Sequence, residues 1–280
     1  MSDYSVLMRK ARADTECATE VWADILPQFF GSRLDSFYAK GSAFKTWDSY
    51  IDYVPIISDV DIHICTLGDE PLFLGSSKDF DDALNLSAQC EKEFLRRRPD
   101  HLHIPRMQVI ETRFLKQIEK YTPPRHQDIR VLYGTPILEE PPSPEIVRSG
   151  DLERILADEE FVSDIPRRTL DRTGLDFWAF IRQITWRVSP FPVRILTQNL
   201  DDPIDAWSWN RTNIHKALLE AGYDAIAKYY HGFYSAGWEL YLSNFQGLDE
   251  YREMAKNGYY VLYECLREAH RIRQNPKSFN

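Results

Sequence analysis

The sequence predicts an α+β protein, with a mixed α/β domain followed by an all-α helical domain. Strand-like and helical patterns alternate through the first half of its 280 residues. The second half is rich in aromatic residues at helical spacing and has few stretches that alternate with period two. Three prolines within four residues lie in the segment 139–145, and such a segment continues neither a helix nor a central strand. We therefore place the domains at 1–138 and 146–280, joined by a linker at 139–145.

The first half contains segments of both kinds. Apolar residues at helical spacing predict helices at 5–30 (at least as far as Pro27), 77–98 and 114–121. Runs that are β-branched or alternate with period two predict strands at 34–39, 54–57, 60–65 and 107–114. The helix at 77–98 is expected to bury one apolar side, formed by Phe80, Ala83, Leu84, Cys90 and Phe94. Because strands alternate with helices, we expect a mixed sheet with helices packed on it.

The second half is expected to be helical. After a short helix at 151–156, helical segments follow one another from about residue 174 to residue 272, separated by proline and glycine turns. The most aromatic of these segments is expected to form the core of a helical bundle rather than a platform for stacking bases. Its aromatic residues are Tyr229, Tyr230, Phe233, Tyr234, Trp238 and Tyr241.

The composition excludes several classes of protein. Asp and Glu outnumber Lys and Arg by 43 to 34, and the net charge of −9 disfavours non-specific binding to duplex nucleic acid. The four cysteines lie far apart without a C-x-x-C pair, so neither a zinc knuckle nor a disulfide framework is indicated. No apolar run reaches the roughly 18 residues of a membrane span, and the N-terminus lacks the apolar core of a signal peptide. These observations predict a soluble, cytoplasmic protein without a membrane partner.

The most informative pattern is the pair Asp59 and Asp61, which lies in an apolar, strand-like run. Residues two apart in a strand project to the same face, so the two carboxylates would lie together. Like charges at that distance are unfavourable unless a cation lies between them, and Mg²⁺ prefers carboxylate and phosphate oxygens. Upstream, Gly41 and Ser42 follow a strand and offer backbone N–H groups and a hydroxyl, which suit a nucleotide phosphate. The alternative is that both acids lie on the solvent face of a half-exposed strand.

Other polar residues have simpler interpretations. Asp48 and Asp52 are expected to be surface acids in a long loop, and His101 and His103 to lie in a solvated loop between prolines. The run Arg96-Arg97-Arg98 ends a predicted helix, where basic residues compensate the helix dipole.

Lys40-Gly41-Ser42, followed by the run from Ser58 to Ile62, resembles the signature of the DNA polymerase β-like nucleotidyltransferase superfamily. That signature is an apolar residue, Gly-Ser, a loop and Asp-x-Asp. Members have a small α/β catalytic domain followed by a helical domain, and they transfer a nucleoside monophosphate from an NTP to a hydroxyl with two magnesium ions. The segment 130–136, with its Leu-Tyr-Gly, is similar to the one that closes the catalytic domain of aminoglycoside-type adenylyltransferases. The resemblance covers residues 34–138.

The resemblance implies that Asp59 and Asp61 bind two Mg²⁺ ions and that a later strand supplies a third metal carboxylate. The best match for the third is Glu111, whereas Glu119 is expected to be exposed. The alternative for Glu111 is a cross-strand salt bridge with Arg106 or Arg113. Gly41 and Ser42 would bind the β- and γ-phosphates of the donor.

The donor implied by the resemblance is an NTP, with ATP expected, and the acceptor is a hydroxyl on an unidentified molecule. A small molecule is favoured over protein or RNA. The sequence departs from the family at Lys40, where an apolar residue is usual, and in the 16-residue loop 43–58, which is longer than is common. The alternative is a non-catalytic nucleotide-binding or regulatory protein on the same fold.

Overall fold

The structure is a computed structural model that describes residues 3–68 and 70–275. The chain forms two compact units, each continuous in space but not in sequence. Unit 1 comprises Met1–Thr46 and Ser58–Pro141, and unit 2 comprises Trp47–Ile57 and Pro142–Asn280. The segment 47–57, expected to belong to the N-terminal domain, therefore folds with the helical second half.

Unit 1 is a mixed α+β fold. Its elements in chain order are α1 (Tyr4–Phe30), β1 (Leu34–Lys40), β2 (Val60–Thr66), α2 (Ser77–Arg97), β3 (Met107–Glu111), α3 (Thr112–Leu115) and β4 (Arg130–Tyr133). Among the described residues the strands form one sheet in the order β3-β2-β1-β4. β1 is antiparallel to both β2 and β4, whereas β3 runs parallel to β2.

Most of the elements predicted for this half are confirmed, with four differences, and β4 was not predicted as a strand. The helix expected at 114–121 is instead the four-residue α3, which ends at Leu115 and is followed by turns. The segment 54–57 is not a strand, because it lies in a turn of unit 2. The third strand ends at Glu111, where α3 begins, instead of continuing to residue 114. On α2 the buried side chains are Leu86, Cys90 and Phe94, at i, i+4 spacing, whereas Phe80 and Leu84 are exposed.

The two faces of the sheet differ in chemistry. Side chains of directly paired residues project from the same face, and Lys40 is paired with Asp61 and Tyr38 with His63. These four residues define what we call the acid face. The opposite face is apolar and almost fully buried; its residues on β1 and β2 are Phe37, Ala39, Val60, Ile62 and Ile64.

The end of α2 is fixed to α1 by ion pairs. Asp14, which is buried, accepts hydrogen bonds from the Arg98 side chain and from the backbone N–H groups of Leu102 and His103. Arg97 pairs with Asp24 at 2.9 Å. The last two arginines of the basic run thus form ion pairs with α1. His103, which was expected in a solvated loop, is buried.

Unit 2 is helical, as predicted, within the residues described. Its helices are α4 (Pro144–Ala157), α5 (Glu159–Thr169), α6 (Asp176–Val188), α7 (Pro190–Leu196), α8 (Asp205–Ser208), α9 (Arg211–Glu220), α10 (Asp224–Leu242) and α11 (Leu248–Gln274). α4 begins inside the expected linker because a proline at the first helical position costs no hydrogen bond. α5 was not foreseen. On α10 the aromatic core is confirmed, since Tyr230, Phe233, Tyr234 and Trp238 are buried.

The segment 47–57 is bound to the helical unit by polar contacts. The Trp238 indole N–H donates to the Tyr50 carbonyl at 2.7 Å, and Arg211 donates to the Ile51 carbonyl at 3.1 Å. Asp52 is buried and accepts hydrogen bonds from both the backbone N–H and the hydroxyl of Thr212. The expectation that Asp52 is a surface acid is therefore wrong.

Asp48 is exposed, as expected, and accepts a hydrogen bond from Asn210 of the same unit at 2.8 Å. Within residues 3–68 and 70–275, every helix is too short or too polar to cross a lipid bilayer.

Candidate functional site

The two aspartates lie together at the start of β2, on the acid face. Asp61 is in the strand opposite Lys40, and Asp59 lies two residues earlier. Arg106, which immediately precedes β3, donates a hydrogen bond from Nη1 to Oδ2 of Asp59 at 2.6 Å. Its own carbonyl accepts the Val60 N–H at 2.9 Å, so the start of the β2–β3 pair fixes this arrangement.

Gly41 brings the backbone against the Asp61 carboxylate. Its φ is +87°, a conformation that residues with a side chain rarely adopt. A Cβ at this position would also collide with Oδ2 of Asp61. Only glycine therefore lets the chain turn at the end of β1 while it lies this close to the acid.

The turn after Gly41 is held by unit 1 itself. The Phe44 N–H donates to the Gly41 carbonyl at 3.1 Å, so Ser42 lies within a closed turn. Arg12, on α1, donates to the carbonyl of Lys45 at 2.8 Å and also to that of Ala43. Sequence reasoning missed Arg12, because only the folded chain brings residues more than 30 positions apart into contact.

The electrostatics of the site are mixed. Burial raises the pKa of Asp61 to about 6, and the charge of Asp59 acts in the same direction. Lys40, Lys45 and Arg106 oppose this pKa shift without cancelling it. No residue within 3–68 and 70–275 donates a hydrogen bond to the Asp61 carboxylate. A half-buried carboxylate that accepts no hydrogen bond from these residues favours a bound cation.

Beneath Asp61 on the acid face lies a neutral pair, Tyr38 and His63. The Tyr38 hydroxyl and Nδ1 of His63 are 3.1 Å apart, and both side chains are buried. Burial, with a smaller contribution from Lys40, lowers the pKa of His63 to about 3, so the imidazole is neutral at pH 7. This hydrogen-bonded pair therefore packs beside Asp61 and adds no charge to the site.

Glu111 does not join the aspartates. It is paired with Ile64, which places it on the apolar face of the sheet, opposite to Asp61. Both of its carboxylate oxygens lie 3.2 Å from the backbone N of Leu72, which donates to them. The expectation that Glu111 projects towards Asp59 and Asp61 is wrong, because the residue of β3 beside Asp61 is Gln108 and Glu111 lies an odd number of positions further on.

The side chains around Asp59 and Asp61 determine how many metal ions the site can hold. Among the described residues, no three His, Cys, Asp or Glu side chains come together in a metal-binding arrangement. Asp59 and Asp61 fit one hard cation that takes its other ligands from phosphate and water. They do not fit the expected pair of ions, because Arg106 and Gln108 lie where a further carboxylate would be needed.

Comparison with known proteins adds no relative: no protein-family model, curated protein or solved structure matches this chain.

Proposed function

We propose that the protein is a Mg²⁺-dependent nucleotidyltransferase, which moves a nucleoside monophosphate from an NTP, with ATP expected, to a hydroxyl and releases pyrophosphate. The observation that carries the proposal is the convergence of Asp59 and Asp61 beside the glycine turn at Gly41. Three cations surround these two acids. In a metal–triphosphate complex the metal ion is positive and the phosphates are negative. The two carboxylates match the metal ion, and the three cationic side chains match the phosphates.

In this proposal Asp59 and Asp61 hold one Mg²⁺ ion. When bound, the ion would neutralise phosphate charge and act as a Lewis acid on the reacting phosphoryl group. Lys40 and Lys45 attract the polyphosphate, and Gly41 lets the backbone of its turn approach a phosphate closely. Partial burial strengthens each of these interactions by lowering the local dielectric.

The test is turnover of α-labelled NTPs with Mg²⁺ and a pool of small hydroxyl-bearing metabolites. We expect labelled product and pyrophosphate from the wild type and from Asp35→Asn, a matched change at an exposed position on β1. Asp61→Asn is expected to form neither. Equal turnover by Asp61→Asn and the wild type would overturn the proposal. Mass analysis of the product identifies the acceptor, for which a small molecule stays the prediction.

The second candidate is a nucleotide-binding or regulatory protein without turnover. The observation that favours it is the neutral Gln108 beside Asp61, since Glu111 lies on the other face. The two candidates separate in one experiment. The second candidate is favoured if Mg²⁺-NTP raises the melting temperature but no pyrophosphate is released with any acceptor pool.

A further inference from the structure

In the described part of the chain, the edge of the site nearest β3 carries no negative charge. Two positions there face the aspartates: Arg106 lies beside Asp59, and Gln108 is paired with Asp61. The first is a permanent cation and the second a neutral amide. Neither supplies the negative charge that a second divalent ion needs.

We propose that this site binds a single divalent ion and that Arg106 takes the place of a second one, bridging Asp59 to the polyphosphate of the nucleotide. The inference rests on the proposed function and specifies its metal requirement. It concerns two residues, Arg106 and Gln108, neither of which the sequence indicated as a residue of the site.

The geometry of Arg106 suits this role. One of its N–H groups is bound to Oδ2 of Asp59 at 2.6 Å, while the side chain is 46% exposed. A guanidinium has five N–H donors in a planar fork that matches phosphate oxygens, so the same residue can contact the acid and a phosphate together.

Arg106 also disfavours a second ion. Paired sites hold their two ions about 3.5–4 Å apart, with carboxylates shared between them. Here a guanidinium already occupies one oxygen of Asp59, and its charge repels any cation that approaches from the β3 side. The carboxylate nearest along β3, that of Glu111, is engaged by the Leu72 N–H on the opposite face.

The first experiment counts metal ions. Mn²⁺ is titrated into the protein with α,β-methylene-ATP, an NTP analogue that cannot be cleaved at the reacting bond, and is followed by electron paramagnetic resonance. We expect one bound Mn²⁺ per chain and no spin-coupled pair. In Gln108→Glu, which adds a carboxylate beside Asp61, we expect a second bound ion and the coupled signal.

Three outcomes are informative. A coupled pair in the wild type would overturn this inference and leave the proposed function standing. Absence of any bound Mn²⁺, with or without the analogue, would overturn both. Gln108→Glu that folds but still binds one ion would contradict the role given to Gln108, and its circular dichroism spectrum shows whether it folds.

The second experiment tests Arg106 itself. In Arg106→Met we expect the affinity for α,β-methylene-ATP to fall by about tenfold or more, the effect of losing a charged hydrogen bond. The affinity for Mn²⁺ alone should rise, because the ion pair with Asp59 and its repelling positive charge are removed. Opposite changes are the signature of the proposed role, since a purely structural residue would weaken both affinities.

Two control variants separate the role of Arg106 from a general effect of removing an arginine. Arg96→Met removes an exposed arginine whose partner is Glu93 on the same helix, and we expect neither affinity to change. Arg106→Lys keeps the charge without the fork and is expected to restore only part of the nucleotide affinity. A fall in Mn²⁺ affinity in Arg106→Met would contradict the proposal.

Discussion

Asp52 in unit 2 is buried and Asp61 in unit 1 is half-buried, and the hydrogen-bond donors around the two acids differ. Asp52 accepts hydrogen bonds from the backbone N–H groups of Asp48 and Ser49, at 2.7 and 2.9 Å, and two more from Thr212. Asp61 accepts none from the part of the chain that the structure describes.

The difference separates a structural acid from a binding acid. The negative charge of Asp52 is satisfied by donors of its own unit, so its burial stabilises the position of the segment 47–57. The charge of Asp61 is partly desolvated without such donors, and Lys40, Lys45 and Arg106 offset this cost only in part, so a bound cation would stabilise it further. Burial alone therefore does not identify a functional carboxylate; its set of donors does.

The largest expected effect is on activity at Asp61. Asp61→Asn should reduce pyrophosphate release at least about a thousandfold, because the metal loses one of two carboxylate ligands. The stability of this variant to urea at pH 7 should not fall. If Asp61→Asn lost both its activity and its folded state, Asp61 would be a structural acid like Asp52, which would contradict the distinction drawn above.

The next effect is on stability at Asp52. Asp52→Asn should lower the free energy of unfolding by about 3 kcal/mol, because an amide can accept only part of its four hydrogen bonds and sets an N–H against backbone donors. Urea denaturation measures this loss. Asp48→Asn is the control and should cost less than about 1 kcal/mol, since its amide oxygen can still accept from Asn210. Equal losses in the two variants would contradict the structural role given to Asp52.

A pH series sharpens the comparison. The pKa of Asp61 is about 6 in the folded protein against an ordinary value of 3.8, so the folded state binds more protons between these values. Asp61 therefore destabilises the protein increasingly as pH rises from about 4 to 6. Relative to the wild type, Asp61→Asn should be more stable by roughly 2–3 kcal/mol above pH 6.5 and equal to it near pH 4. A constant difference across this range would show that the carboxylate is not desolvated.

The smallest effect is expected at Glu111. Glu111→Gln should change turnover less than about threefold and lower the free energy of unfolding by about 1 kcal/mol, since the amide oxygen can still accept the Leu72 N–H. If Glu111 bound the metal, as the family resemblance implies, the same substitution would reduce turnover at least about a hundredfold. Steady-state kinetics of the variant, with urea denaturation beside it, decides between these outcomes.

The sequence by itself determined most elements of unit 1 and the core of the candidate site. Alternation of period two located β2, and the same alternation placed Asp59 and Asp61 on one face. A glycine after a strand marked the turn at Gly41. These features are local, because the direction of a side chain within one strand or turn depends on a few neighbouring residues.

Only the tertiary structure decided where Glu111 and Asp52 belong. The face of Glu111 depends on the register between β2 and β3, and because side chains alternate, an offset of one residue exchanges the two faces. The donors of Asp52 include Thr212, 160 positions away in sequence. No local pattern encodes a partner at that distance, since the contact arises from packing between distant segments rather than from the conformation of either one.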